Sequence, residues 1–130
     1  MQPFLKKPNP MSKSLKDLAD EAFSRYIRQK YAIGGFVLCV TCGTNKRWQE
    51  VDAGHFISRG KNSTRFDERN VFPQCKQCNI FKGGAKPEYA LFLVRAFGEG
   101  IIEELVLLGN QTKQWKKWEL EELVAKFTSA

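Results

Sequence analysis

The chain has 130 residues, enough for one compact domain, and 42% of them are apolar, which sets it apart from disordered polypeptides. Its 21 Lys and Arg against 14 acids give a formal net charge of +7, a balance that favours a polyanionic partner such as nucleic acid. No stretch reaches the apolar length of a membrane span, and the first residues, MQPFLKKPNPMSKS, lack the apolar core of a secretory signal, so a reducing cytoplasm is the expected compartment.

Residues 1–13 combine prolines and lysines and read as a mobile arm. Residues 14–130 read as one domain: an N-terminal helix (14–34), a metal-bearing core (36–86) and a helical extension (87–130). Ser14 with Asp17 three residues on approximates a capping box. Leu15, Leu18, Ala19, Ala22, Phe23, Tyr26 and Ile27 then recur at helical spacing, which predicts an amphipathic helix over roughly 15–31, ended by Gly34-Gly35. Phe36 to Val40 reads as a short strand, and Trp48 to Phe56 as a second strand reaching the sole histidine, His55. Residues 57–69 form a polar, basic loop. Asn70 to Pro73 leads into a short helix that starts near Cys75 and stops at Gly83-Gly84. Pro87 opens another helix, Gly98 and Gly100 interrupt it, Ile101 to Leu108 resumes it, and a last amphipathic segment covers Trp118 to Phe127.

Four cysteines stand in two C-x-x-C pairs, Cys39-Val-Thr-Cys42 and Cys75-Lys-Gln-Cys78. In a reducing compartment such pairs point to a metal before disulfides. Two intervening residues let both sulfurs of a pair reach one ion, and four thiolates suit a closed, structural Zn²⁺. Redox dithiols or unrelated buried cysteines are the alternatives, but a thioredoxin-like motif wants a βαβ setting that the sequence lacks. The gap between Cys42 and Cys75 is 32 residues, longer than the ~15–20 of a zinc ribbon. The insert carries His55, Asp52, Asn70 and several arginines.

Asp52-Ala-Gly-His55-Phe56, Arg65-Phe-Asp-Glu-Arg-Asn70 and Gln74-Cys75-Lys-Gln-Cys78-Asn79 together resemble the NinG/Rap proteins of lambdoid phages, within the wider HNH, or ββα-metal, endonuclease group. The resemblance covers roughly residues 36–110. It implies an α+β fold: a small zinc-stabilised ββα-metal core flanked by N- and C-terminal helices. It implies His55 as catalytic base, Asn70 as the middle residue of the motif, and Asp52 with Asn79 as ligands of a catalytic Mg²⁺ or Mn²⁺. The implied activity is metal-dependent hydrolysis of DNA phosphodiesters at branches such as Holliday junctions, leaving a 5′-phosphate and a 3′-hydroxyl. The sequence departs from the usual pattern in one place. Gly54, not Asp or His, precedes His55, and Asp52 lies three residues back. On a regular strand Asp52 and His55 face opposite ways; a bulge at Gly54 would bring them together. Otherwise His55 itself binds the ion.

These residue types suit the chemistry. Neutral imidazole can take a proton from water near neutral pH, and a hard cation on oxygen ligands can polarise a phosphate. Asn70 reads as an orienting residue. Arg59, Lys61, Arg65 and Arg69 in the loop, with Lys76, Lys82 and Lys86 around the second cysteine pair and its helix, are candidate DNA-phosphate contacts. Lys113, Trp115, Lys116, Lys117 and Trp118 mix cations with aromatics, but packing of one Trp on the core is the preferred reading. Surplus apolar helix surface allows a homodimer, which would set two sites across a symmetric branched substrate. Recombination proteins are further expected partners. Two rival functions remain open at this level: a non-catalytic zinc module that binds nucleic acid, and a sequence-specific nuclease acting on linear duplex.

Overall fold

The computed structural model describes residues 13–130, so the predicted N-terminal arm lies, apart from Lys13, outside the described residues. Four α-helices and two short antiparallel ribbons make up an α+β architecture. Helix α1 spans Leu15–Lys30. Its start is fixed as the sequence suggests: the Ser14 hydroxyl accepts from the Asp17 amide at 3.1 Å, and the Asp17 carboxylate accepts from the Ser14 amide at 3.3 Å. Its apolar stripe buries Ala19, Ala22, Phe23 and Ile27.

The first ribbon pairs β1 (Phe36–Leu38) with β2 (Asn45–Arg47). Strand β2 has no apolar alternation, since all three of its residues are exposed, and the sequence reading missed it. The predicted strand over Trp48–Phe56 is shorter than expected. Trp48–Glu50 form a 3₁₀ turn, and only Asp52–His55 are extended, as β3. Strand β3 pairs with β4 (Val71–Gln74) in the register Asp52↔Gln74 to His55↔Val71. The pairing is one-to-one, so no bulge occurs at Gly54. The predicted helix after Cys75 is a single π-helical turn, Gln77–Phe81, in which the Lys82 amide reaches back to the Gln77 carbonyl at 3.0 Å. Helices α2 (Lys86–Phe97), α3 (Ile101–Gly109) and α4 (Lys117–Thr128) complete the chain. Among the described residues no helix is long and apolar enough to cross a membrane.

The β3–β4 ribbon is the centre of the packing. Successive strand residues point to opposite faces, and Val71 and Phe72 accordingly enter different cores. Val71 joins Phe23, Ile27, Phe66, Leu120 and Phe127 between the ribbon, α1 and α4. Phe72 joins Tyr89, Leu93, Ile101 and Leu105 between the ribbon, α2 and α3. Aromatic edges fill both: Phe23 lies 5.6 Å from Phe66 and 4.9 Å from Phe127, and Phe72 lies 4.8 Å from Phe92. Each fully buried large side chain contributes about 1.5–3 kcal/mol, so α1 and α2 clamp the ribbon from two sides. Tyr89, wholly buried, donates its hydroxyl to the Gly54 carbonyl and so ties α2 to β3 one residue before His55. Trp115 takes the packing role: it meets Phe66 edge-on at 5.3 Å and donates to the Asn62 carbonyl at 3.0 Å. Trp118 is 56% exposed.

Candidate functional site

The two cysteine pairs converge. The sulfurs of Cys39, Cys42, Cys75 and Cys78 all lie within 4.8 Å of one another, and Cys42 and Cys75 are 3.7 Å apart. Zn–S bonds of about 2.3 Å place the corners of a tetrahedron about 3.8 Å apart, so the group has the dimensions of a Zn²⁺ site. Three of the four are buried. Gly43 turns the first knuckle at φ 76°, a conformation that favours glycine, and its amide bonds the Cys39 carbonyl at 2.8 Å. Hydroxyls of Thr41 and Thr44 stand 3.3 and 3.0 Å from the Cys39 and Cys42 sulfurs. Although burial opposes ionisation, hydrogen bonds from Thr41 and nearby amides bring the Cys39 thiol down to about 6, whereas burial pushes Cys78 up to about 12. A bound cation would favour the thiolate throughout. Lys46 and Lys82 line a recess beside the cluster, where they would offset the net negative charge of four thiolates on one divalent ion.

Next to this cluster lies a cleft of about 680 Å³. One wall comes from β3, the loop after it, the π-turn with the residue before it, and the start of α2: Asp52, His55, Arg59, Lys76, Asn79 and Lys86. The other comes from α1 through Asp20, Ser24 and Arg28. Asp52 and His55 lie on opposite faces of β3, as alternation requires, yet both line the cleft. The reason is that β3 pairs with β4 alone, and the cleft opens along its free edge.

Asp52 and Asn79 are in contact. The Asn79 amide donates to Asp52 Oδ2 at 3.0 Å, and the Lys76 ammonium donates to Oδ1 at 2.6 Å. Among the described residues the Asn79 carbonyl oxygen has no side-chain partner, and the carboxylate already pairs with a cation. His55 is turned the other way. Its Nε2 lies 2.9 Å from the Arg65 carbonyl. A carbonyl only accepts, so Nε2 carries the proton and Nδ1 is the basic nitrogen of the neutral ring. Burial lowers the His55 pKa below its ordinary 6.5, against a raising effect of the Arg65 carbonyl, so the ring is neutral at pH 7.

Asn70 does not touch His55; it holds the loop that does. It is wholly buried. Its Oδ1 accepts from the Ile57 amide at 2.7 Å, and its Nδ2 donates to the Ile57 and Thr64 carbonyls at 3.0 and 3.2 Å. The Arg65 carbonyl that orients His55 follows directly after Thr64.

The structure places the candidate DNA contacts unequally. Arg59 is exposed on the cleft wall, and Lys61 is exposed on the loop. The Arg65 guanidinium is engaged inside the fold, forked onto the Asp20 carboxylate and donating to the Arg59 carbonyl at 2.9 Å. Arg69 is likewise held by Asp67 at 2.9 Å and Glu104 at 2.7 Å. Lys76 pairs with Asp52, and Lys82 is exposed beside the cysteines. The sequence reading missed the α1 wall. Asp20, Ser24 and Arg28 recur every four residues, a polar stripe on one helix face, but nothing local links that stripe to His55. Arg28 stacks on Trp48 with its guanidinium carbon 5.3 Å from the ring centre, and it donates to the Ser24 hydroxyl at 3.1 Å.

Comparison with known proteins agrees with this pattern of residues. The family model described as Bacteriophage Lambda NinG protein matches residues 5–130, well beyond the 36–110 stretch that carries the motif. The chain is 30% identical to Protein ninG of Escherichia phage lambda and of Salmonella phage P22 over 122 residues each, and to that of Escherichia phage 933W over 119. These alignments cover 83–85% of this chain but only 56–57% of the relatives, so the chain spans a little over half their length. No solved structure is significantly similar to it. From the family match and these relatives, the chain belongs to the NinG family.

Proposed function

We propose that this protein is a metal-dependent DNA endonuclease of the HNH type, acting on branched DNA. One observation carries the reading. A carboxylate, an amide oxygen and a histidine of fixed tautomer meet in a basic cleft beside a cysteine cluster suited to Zn²⁺. In this reading β3, β4 and the π-turn after Cys75 are the ββα-metal core, and the zinc holds the ribbon to the turn.

The division of labour follows from the side chains. Asp52 and Asn79 would hold Mg²⁺ or Mn²⁺, ions that take oxygen ligands and keep several waters. That ion would supply charge neutralisation at the phosphate and at the departing 3′ oxygen. His55 Nδ1 takes the proton of the attacking water, with its Nε2–H anchored on Arg65. Asn70 is a positioning residue: it holds the loop, the loop holds the Arg65 carbonyl, and the carbonyl holds the ring. Cations on both walls favour a phosphodiester. Asp20 is neutralised by Arg65 and Asp52 by Lys76, which leaves the charges of Arg28, Arg59 and Lys86 in excess. Branched DNA as the substrate is the expectation carried by the family resemblance.

The test is cleavage of a labelled four-way junction and a matched linear duplex with Mg²⁺, Mn²⁺ or neither, alongside His55→Ala. Ion-dependent cutting of the junction, lost in the mutant while binding persists, is the expected result. Cutting of both substrates keeps the enzyme and removes the branch preference. Binding without cutting under every ion makes the protein a zinc-stabilised binding module instead.

A further inference from the structure

Lys86 reaches the cleft by an unusual route. Gly83, Gly84 and Ala85 run at φ 59°, 93° and 47°, three successive residues in a region that non-glycine residues avoid. The turn they make folds the lysine back over Gly84. A Cβ added to Gly84 would come 2.9 Å from Lys86 Cε, so the stem lies where any other residue would carry its side chain. The ammonium then donates to the carbonyl of His55 at 2.7 Å and of Phe56 at 2.6 Å.

The choice of partners is informative. An ammonium has three N–H groups, and two are taken by neutral carbonyls. These fix its position without cancelling its charge. Among the described residues no carboxylate pairs with Lys86, whereas Lys76 and Arg65 each have one and Arg69 has two. A fixed, unneutralised cation thus sits in the cleft one hydrogen bond from the backbone of His55.

We propose that Lys86 is a phosphate-binding residue whose third N–H takes a non-bridging oxygen of the DNA phosphodiester lying against His55. The assignment rests on the nuclease reading for its location and adds the group that holds the strand there. Lys86 binds one anionic oxygen; it carries no proton in the reaction.

The test measures DNA binding and cleavage separately. Binding of a short duplex is titrated against salt in the His55→Ala background without added divalent ion, for Lys86, Lys86→Gln, Lys86→Met and Lys86→Arg. Met keeps the stem over Gly84 should Gln disturb the fold, and zinc content and melting temperature qualify each variant. Loss of one phosphate contact lowers the slope of log Kd against log salt by about 0.9 and weakens binding about tenfold at low salt. Both charge-removing variants should show this, Arg should retain the slope, and Arg95→Gln at the far end of α2 should match the parent. In the otherwise native chain, the Gln and Met variants should also lower kcat/KM for Mg²⁺-dependent cutting. An unchanged slope in both overturns the assignment, even if cutting falls, because Lys86 then only braces the loop. A lowered slope in a protein that cuts no DNA under any ion sinks the nuclease reading and leaves the phosphate contact standing.

Discussion

Truncating Asn70 tests the idea that one buried amide holds the loop behind His55. Asn70→Ala removes three hydrogen bonds, to the Ile57 amide and to the Ile57 and Thr64 carbonyls. Leaving a buried polar group unpaired costs about 1–3 kcal/mol. Ile57 is half-buried, so water can reach its groups, and each falls near the low end. Thr64 is wholly buried, but its carbonyl keeps the Asp67 amide at 3.2 Å, so its share is small. The sum is about 2–3 kcal/mol, a sizeable share of the 5–15 kcal/mol typical of a domain. Urea unfolding of the zinc-loaded protein, followed by tryptophan fluorescence, reads the loss as a fall in midpoint at constant slope. Hydrogen exchange should accelerate first at the Ile57 amide, before the core strands. Asn70→Asp is the sharper comparison. It preserves the shape but turns an anion toward two carbonyls, so at pH 7 it should cost at least as much as Ala. Its deficit should shrink as the pH falls and the carboxyl becomes a donor. A loss under about 1 kcal/mol for Ala, with unaltered exchange at Ile57, would falsify the claim that Asn70 pins the loop.

Three further outcomes follow from the geometry. Burial holds the His55 pKa below 6.5, so the unfolded state takes up the proton first; stability should fall as pH drops through about 6.5 and level off below the folded pKa. His55→Gln should erase that limb, and an identical pH–stability profile in the mutant refutes the buried, neutral ring; the proposed cleavage should keep its acid limb below 6.5 too. One zinc per chain is expected by elemental analysis, and a strong chelator or Cys78→Ser should lower the melting temperature sharply; full stability after metal removal sinks the structural site. Gly54→Ala would place a Cβ 2.1 Å from Gln74 Oε1 and 2.8 Å from Gln74 Cβ, and Gln74 is wholly buried. Overpacking of this kind costs about 1–3 kcal/mol, or roughly 4–12 °C, so a melting point within 2 °C of the parent contradicts the tight ribbon register.

Local chemistry was legible in the chain before folding. The Ser14 cap and the apolar spacing of α1 are short-range features, written within one or two turns. The C-x-x-C pairs announced a metal cluster because two residues set the reach of two sulfurs. Asp52, His55 and Asn79 drew notice through the linked motifs in which the chain resembles the NinG proteins. Tertiary structure decided what they meet. Alternation along β3 put Asp52 and His55 on opposite faces, and no bulge corrected it; the free edge of the ribbon joined them in one cleft instead, and an edge is a property of pairing. Arg65 and Arg69 look like free loop cations in the sequence, but Asp20 and Glu104, 45 and 35 residues away, claim them in the fold. Strand β2 has no apolar signal because all its residues face water, and the α1 wall of the cleft is a polar stripe that pairing alone brings opposite His55. Short-range spacing fixes a helix, a cap or a knuckle, but charge neutralisation and cleft walls depend on partners far along the chain, and those are chosen only when the cores close.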